Sequence, residues 1–178
     1  MKKEAAFSGL EAAIVLIAFV VVAAVFSYVM LGAGFFATQK SQEVTYSGIK
    51  QSTSNIVLDG QVYGTMAKTT GDTYLLNTLS FYLAIPEGGQ PQKLADVAFL
   101  WTQNNGGVKA IGADNITFDG ASAGSNVLAA GNRTNVVISN LTGPEAGGSF
   151  TLEIKPKVGA STLVAKTLAT GYNGGVII

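Results

Sequence analysis

Residues 7–36 read FSGLEAAIVLIAFVVVAAVFSYVMLGAGFF, and the way this stretch folds decides the architecture of the chain. It carries one charge, Glu11, near its head, and from Ala12 to Gln39 there are 28 consecutive residues without any. As an α-helix such a run reaches roughly 42 Å, whereas about 20 residues cross the hydrocarbon of a bilayer. Val20-Val21-Val22 would weaken a helix in water, but in an apolar medium every backbone N–H and C=O must be satisfied within the segment, so the run is expected to be helical. A secretory signal has an apolar stretch of about 7–15 residues ending at a small-residue cleavage site. Here the stretch is about twice that, and Gly32-Ala33-Gly34 is a poor cleavage site.

Downstream of Phe36 the pattern changes. Lys40, Glu43 and Lys50 alternate with Val44, Tyr46 and Ile49, which continues the helix as an amphipathic segment. Asn55 and the Asp59-Gly60 pair are read as marks of its end. A helix from Phe7 to about Ser54 is on the order of 70 Å long, which outruns a bilayer and requires another partner for part of its length. Apolar on all sides, it belongs against lipid or among other apolar helices. Ala12, Ala13, Ala18, Ala23, Ala24, Gly32 and Gly34 would let such helices approach closely. A carboxylate at the head of this segment is costly unless it meets a cation, and the next basic residue downstream is Lys40. The cations within reach of Glu11 are Lys2, Lys3 or a new α-amino group created by removal of the residues before Phe7.

The remaining residues, 55–178, have a different character. Short runs alternate in polarity: Leu79, Phe81, Leu83 and Ile85; Val97, Phe99 and Trp101; Phe150, Leu152 and Ile154, with shorter candidates at 116–118, 135–138 and 162–164. Turn signals at Glu87-Gly88-Gly89, Asn105-Gly106-Gly107, Asp119-Gly120 and Glu145-Ala146-Gly147-Gly148 separate them, the spacing of an antiparallel sandwich or barrel. The apolar tail Gly174-Gly175-Val176-Ile177-Ile178 is expected to finish a strand at the core or at a subunit contact. The chain is thus α+β, with a long amino-terminal hydrophobic helix ahead of the β region.

Composition removes most chemistries. Eleven basic residues balance 11 acidic ones, so no net field favours nucleic acid. There is no Cys and no His, which excludes disulfides, thiol nucleophiles and the usual zinc sites, and removes the commonest general base. No acid pair stands out as a catalytic dyad, so the expected role is not enzymatic and no cofactor is implied. Asp114 and Asp119 are read as solvated loop acids rather than Ca²⁺ ligands. Gly106-Gly107 lacks the Gly-Lys-Ser/Thr ending of a phosphate loop. Trp101 and the tyrosines are read as core and interface residues. Three Asn-x-Ser/Thr sequons, Asn115-Ile116-Thr117, Asn132-Arg133-Thr134 and Asn140-Leu141-Thr142, cluster within 26 residues and are candidate N-glycosylation sites.

These residues carry a family resemblance. Lys2-Lys3-Glu4-Ala5-Ala6 followed by Phe7-Ser8-Gly9-Leu10-Glu11 and the apolar run resembles a class III, type IV pilin-like signal. The continuation VVVAAVFSYVMLGAGFFATQKSQEVTYSGIKQ (residues 20–51) and the ending SFTLEIKPKVGASTLVAKTLATGYNGGVII (residues 149–178) resemble archaeal flagellins. The resemblance implies a leader, residues 1–6, removed between Ala6 and Phe7 by a prepilin-type membrane peptidase, which makes Glu11 the fifth mature residue. The family's usual Gly before the cut is here Ala6. It further implies that residues 7–54 form the filament core after a membrane-bound precursor stage, and residues 55–178 an outer immunoglobulin-like β-sandwich bearing N-glycans. The implied partners are copies of the same chain, other flagellins, and the motor and assembly platform of the archaellum; the implied location is an extracellular filament used for swimming. An adhesive archaeal type IV pilin is the alternative, and a single-span surface protein with a β-sandwich ectodomain is a third.

Overall fold

The structure, a computed structural model, describes residues 2–69, 71–103, 106–119 and 127–178, with side chains from Ser8 onward except that of Asp119. The chain forms two compact units, Met1–Ser47 and Gly48–Ile178. Among the described residues one α-helix, α1 (Lys2–Thr53), is followed by eleven strands: β1 (Val57–Lys68), β2 (Tyr74–Ala84), β3 (Gln92–Lys93), β4 (Ala98–Gln103), β5 (Lys109–Ala110), β6 (Ile116–Asp119), β7 (Val127–Leu128), β8 (Arg133–Ile138), β9 (Ser149–Lys155), β10 (Thr162–Thr167) and β11 (Gly175–Ile177).

At 52 residues α1 is about 78 Å long. No proline interrupts it, and three threonines place their hydroxyls on the helix itself: Thr38, Thr45 and Thr53 donate from Oγ1 to the carbonyls of Gly34, Ser41 and Ile49 at 2.9, 2.8 and 3.0 Å. A threonine bonded in this way presents a methyl group rather than a hydroxyl that needs water. Lys40 and Glu43 form an exposed ion pair at 2.7 Å where the polar stretch begins.

The β unit has a five-stranded sheet in the order β11-β1-β2-β8-β6, a four-stranded sheet β10-β9-β4-β5 and a two-stranded pair β3-β7, with every pairing antiparallel. The two larger sheets share one core. Leu79, Phe81 and Leu83 of β2, Val136 and Ile138 of β8, Phe99 and Trp101 of β4, and Phe150, Leu152 and Ile154 of β9 are all buried. Phe81 and Phe99 meet across the sheets with ring centroids 6.4 Å apart, and Trp101 stacks on Phe150 at 4.7 Å. Each such side chain contributes about 1.5–3 kcal/mol by leaving water. The period-2 runs expected from sequence are therefore strands with their apolar faces inward, and the tail ends as β11 with Ile177 buried.

One expectation changes. Asp59-Gly60, read as a mark of the helix end, lies inside β1. There Asp59 faces Tyr82 and Tyr63 faces Ser80, so β1 carries extra residues at a register shift, with Gly60 at φ +86°. Turn chemistry has been absorbed as a bulge. The turn signals at Glu87-Gly88 and Ala146-Gly147 are turns, closed by Gly89 N–H to Pro86 O and Gly148 N–H to Glu145 O. Those at Asn105-Gly106-Gly107 and Asp119-Gly120 fall partly outside the described residues.

The chain passes from helix to sheet through Ser54, Asn55 and Ile56, each held in place. The buried Gln92 donates from Nε2 to Ser54 O at 2.9 Å and to Val158 O at 3.0 Å. Asn55 Oδ1 accepts the Ala160 N–H, and Thr162 Oγ1 donates to Ile56 O at 2.6 Å. Gly159, at φ +114°, runs so close that a Cβ there would overlap the Ser54 carbonyl.

Candidate functional site

Two regions concern function, the surface of α1 and the sequon-bearing end of the sandwich. On α1 the large apolar side chains from Leu10 to Ile49 are between 54% and 81% exposed. From Leu10 to Phe36 this is a continuous apolar surface that circles the helix, far larger than the patches monomeric soluble proteins leave in water. By length and composition the helix could cross a membrane. Glu11 sits near its start and is exposed, with Ser8, Ala12 and Val15 around it on the helix. The backbone at Ala6 and Phe7 is helical.

The three sequons are placed differently. Asn132 is exposed in the turn leading to β8, its carbonyl accepting the Ile85 N–H, while Thr134 of the same sequon is buried. Asn115 ends a short 3-10 turn before β6 and is half-buried; Asn140 is exposed just after β8. β6 and β8 are paired neighbours, so Asn115 and Asn140 come together: Asn140 Nδ2 donates to Asn115 Oδ1 at 3.4 Å, and Ser139 N–H donates to Asn115 O at 2.8 Å. Asn140 is the one non-glycine at positive φ among the described residues, at +55°, a conformation that Asn tolerates better than most side chains. Leu141 N–H then donates to Asn77 O, and Leu76 N–H donates to Pro144 O while its carbonyl accepts the Gly143 N–H. Gly143 is required there, since a Cβ would lie 2.5 Å from the Leu76 carbonyl oxygen.

Beside this pair is a cleft of about 140 Å³ lined by Trp101, Lys109, Asn115, Asn140, Leu141 and Thr142 among others. Trp101 is buried as expected, but its indole Nε1 has no hydrogen-bond partner among the described residues. The sequence placed Trp101 among core and interface residues, and nothing local in it announces the unpartnered donor. Asp114 is exposed, and no group of three or more acidic residues poised for a metal occurs among the described residues. Elsewhere the Tyr172 hydroxyl lies between two carbonyls, 2.9 Å from Gly64 O and 2.6 Å from Gly175 O, and its one proton serves both, tying β1 to β11; burial pushes its pKa up.

The family model for archaeal-type flagellin matches residues 6–165. The chain belongs to the archaeal-type flagellin family. It is 36% identical over 192 residues to probable flagellin 2 of Archaeoglobus fulgidus, covering 96% of this chain and 93% of that one. It is 56% identical over 91 residues to probable flagellin 1 of the same organism, covering 51% and 43%. Among solved structures, the archaeal flagellum of Methanospirillum hungatei strain JF1 matches with a TM-score of 0.80 and 58% identity, over 96% of this flagellin and 99% of that chain. An archaeal flagellin of Methanocaldococcus jannaschii shares the fold at a TM-score of 0.55 and 14% identity.

Proposed function

We propose that this flagellin is the structural subunit of an archaeal flagellar filament used for swimming. The observation that carries this is the largely exposed apolar surface of α1 in a chain 58% identical to that of an archaeal flagellum. Such a surface is stable only in lipid or among copies of itself. A head-to-tail contact that does not close on itself produces an open helical polymer. Before assembly the same helix serves as a membrane span, with Lys2 and Lys3 holding the leader on the cytoplasmic side.

Several finer steps follow. A prepilin-type peptidase cuts between Ala6 and Phe7, which removes the lysines and releases the helix for extraction. Residues 7–54 then form the filament core and residues 55–178 its outer layer. Glu11 pairs with the Phe7 amine of its own or a neighbouring subunit and fixes axial register. The outer layer carries N-glycan at one or more of Asn115, Asn132 and Asn140. Torque comes from the archaellum motor, and the subunit's own role is structural. Deleting the chain should abolish swimming and remove the protein from sheared surface filaments, and the amino terminus of those filaments should be Phe7. Protein found only in membranes, intact from Met1, would refute the proposal.

A further inference from the structure

The charges of the β unit are sorted between its two larger sheets. The five-stranded sheet and its turns carry Asp59, Asp72, Glu87, Asp114 and Glu145, all exposed, with Lys68 and Arg133 as the bases among the described residues. Both bases are taken within the chain, Lys68 by Asp72 at 2.8 Å and Arg133 by Asp59 at 3.6 Å. Glu87, Asp114 and Glu145 are left without an ion pair among the described residues. The four-stranded sheet is the reverse. Lys109, Lys155 and Lys166 stand in its strands, likewise without an ion pair, against the single acid Glu153, while Lys157 pairs with Asp96. We propose that the five-stranded sheet of one subunit docks on the four-stranded sheet of the next, acidic side to basic side. This rests on the proposal that the chain is a filament subunit, and it names the surfaces through which the β units meet.

The faces that these charges frame are apolar at their centres. Register places Val176, Tyr63, Ser80 and Val137 in one row across the outer side of the five-stranded sheet, and Asp59, Tyr82 and Asn135 in the next. Tyr63, Tyr82 and Val176 are exposed there, and the Arg133 guanidinium lies 5.3 Å from the centroid of the Tyr82 ring. On the four-stranded sheet Leu100, Glu153 and Leu163 share a row, with Leu163 65% exposed and Lys155 on the same side of β9. Aromatic and aliphatic side chains inside a charged rim are the ordinary make-up of a protein–protein interface.

The sorting of charge selects both partner and direction. Packing either sheet on the same sheet of a second copy sets acids against acids or lysines against lysines, which disfavours a two-fold pair. Unlike sheets attract, and a contact between two different surfaces of one chain repeats in a single direction, as an open helical polymer requires. Area limits what the contact does. Five strands about 4.8 Å apart and roughly six residues long present a face on the order of 500 Å². That is below the ~800 Å² each partner gives to a standard interface. The contact therefore does not polymerise the chain by itself; it fixes how neighbouring β units meet in subunits that their helices hold together.

Charge reversal in the full chain tests this. Lys109→Glu with Lys155→Glu turns the basic side acidic, and Glu87→Lys with Glu145→Lys turns the acidic side basic. All four residues are exposed and outside any ion pair among the described residues, so the β unit should unfold at its wild-type temperature. Each pair of substitutions sets like charges across the contact and should lower the yield of pelletable filaments severalfold at low salt. The four substitutions together restore opposite signs and should recover most of that yield. Wild-type yield in both pairs, or no recovery when they are combined, overturns the inference and leaves the filament proposal standing. Wild-type filaments give a second reading that needs no variant. A carbodiimide condenses a touching ammonium and carboxylate into an amide with loss of water, and it should produce covalent multimers in which Lys109, Lys155 or Lys166 is joined to Glu87, Asp114 or Glu145. Multimers without such links, or no multimers, overturn the docking. Wild-type cells without filaments of this chain overturn both proposals.

Discussion

The helix and the sandwich are both rich in apolar side chains, and they use them in opposite ways. In the sandwich Leu76, Leu79, Phe81, Leu83 and Leu152 have no exposed surface, whereas on α1 comparable residues such as Phe19, Phe26 and Leu31 remain more than half exposed. The β unit satisfies its hydrophobic residues within one chain. The helix does not, and in the proposed filament other copies cover it. Stability of the β unit is therefore a property of the subunit, and burial of the helix surface is, in the proposed filament, a property of the polymer.

This contrast predicts that core and helix substitutions separate cleanly. The largest effect is expected from Val21→Lys, at the centre of the apolar stretch of α1. The precursor should still fold its β unit, but a lysine with no counter-charge among packed apolar helices should eliminate filaments, as electron microscopy of sheared material would show. Next, Phe81→Ala should destabilise the sandwich by about 3–5 kcal/mol, because it removes a fully buried ring that touches both sheets. Thermal unfolding would register this as an early loss of β signal with the helical signal retained. Wild-type unfolding of both signals would contradict the separation of the two units.

Glu11→Gln sharpens the comparison from the other side. It should leave unfolding of the sandwich untouched while reducing filament yield or disturbing axial repeat, and normal assembly with normal repeat would remove the register role. The smallest effect concerns Tyr172. Burial raises its pKa in the folded state above that in the unfolded chain, so its contribution is complete below about pH 10, the ordinary tyrosine value, and is lost as pH rises beyond that. The β unit should thus lose stability above about pH 10 in a way that Tyr172→Phe reduces, measurable by denaturant unfolding at alkaline pH. Tyr172→Phe should itself cost on the order of 1 kcal/mol at neutral pH through its lost hydrogen bonds.

How much of this was visible in sequence depended on how local the signal was. The helix was legible because the run from Ala12 to Gln39 contains no charge and no proline, and its end at Thr53 lies within a residue or two of the expected boundary. Strands such as β2, β4 and β9 were legible through their period-2 alternation. The longest strand, β1, was not, because Asp59-Gly60 and Gly64 resemble turn residues. Gly64 is in fact a packing position, where a Cβ would meet Leu76, Ile177 and the Tyr172 hydroxyl, all contributed from elsewhere in the chain. The two-residue strands β3, β5 and β7 are too short to show any period. The sequons were legible one by one, but their arrangement was not: only the pairing of β6 with β8 brings Asn115 against Asn140 and leaves Asn132 apart.

The passage through Ser54, Asn55 and Ile56 has a mechanical meaning. Flexible tethers absorb twist before they transmit it, and this connection has no slack to absorb. Because the Gln92 amide, the Ala160 N–H and the Thr162 hydroxyl hold Ser54, Asn55 and Ile56 in turn, tension or torsion arriving along the last turn of the helix meets the β unit within one or two peptide bonds. In the proposed filament, such a coupling would make the β unit turn with the helix that carries it.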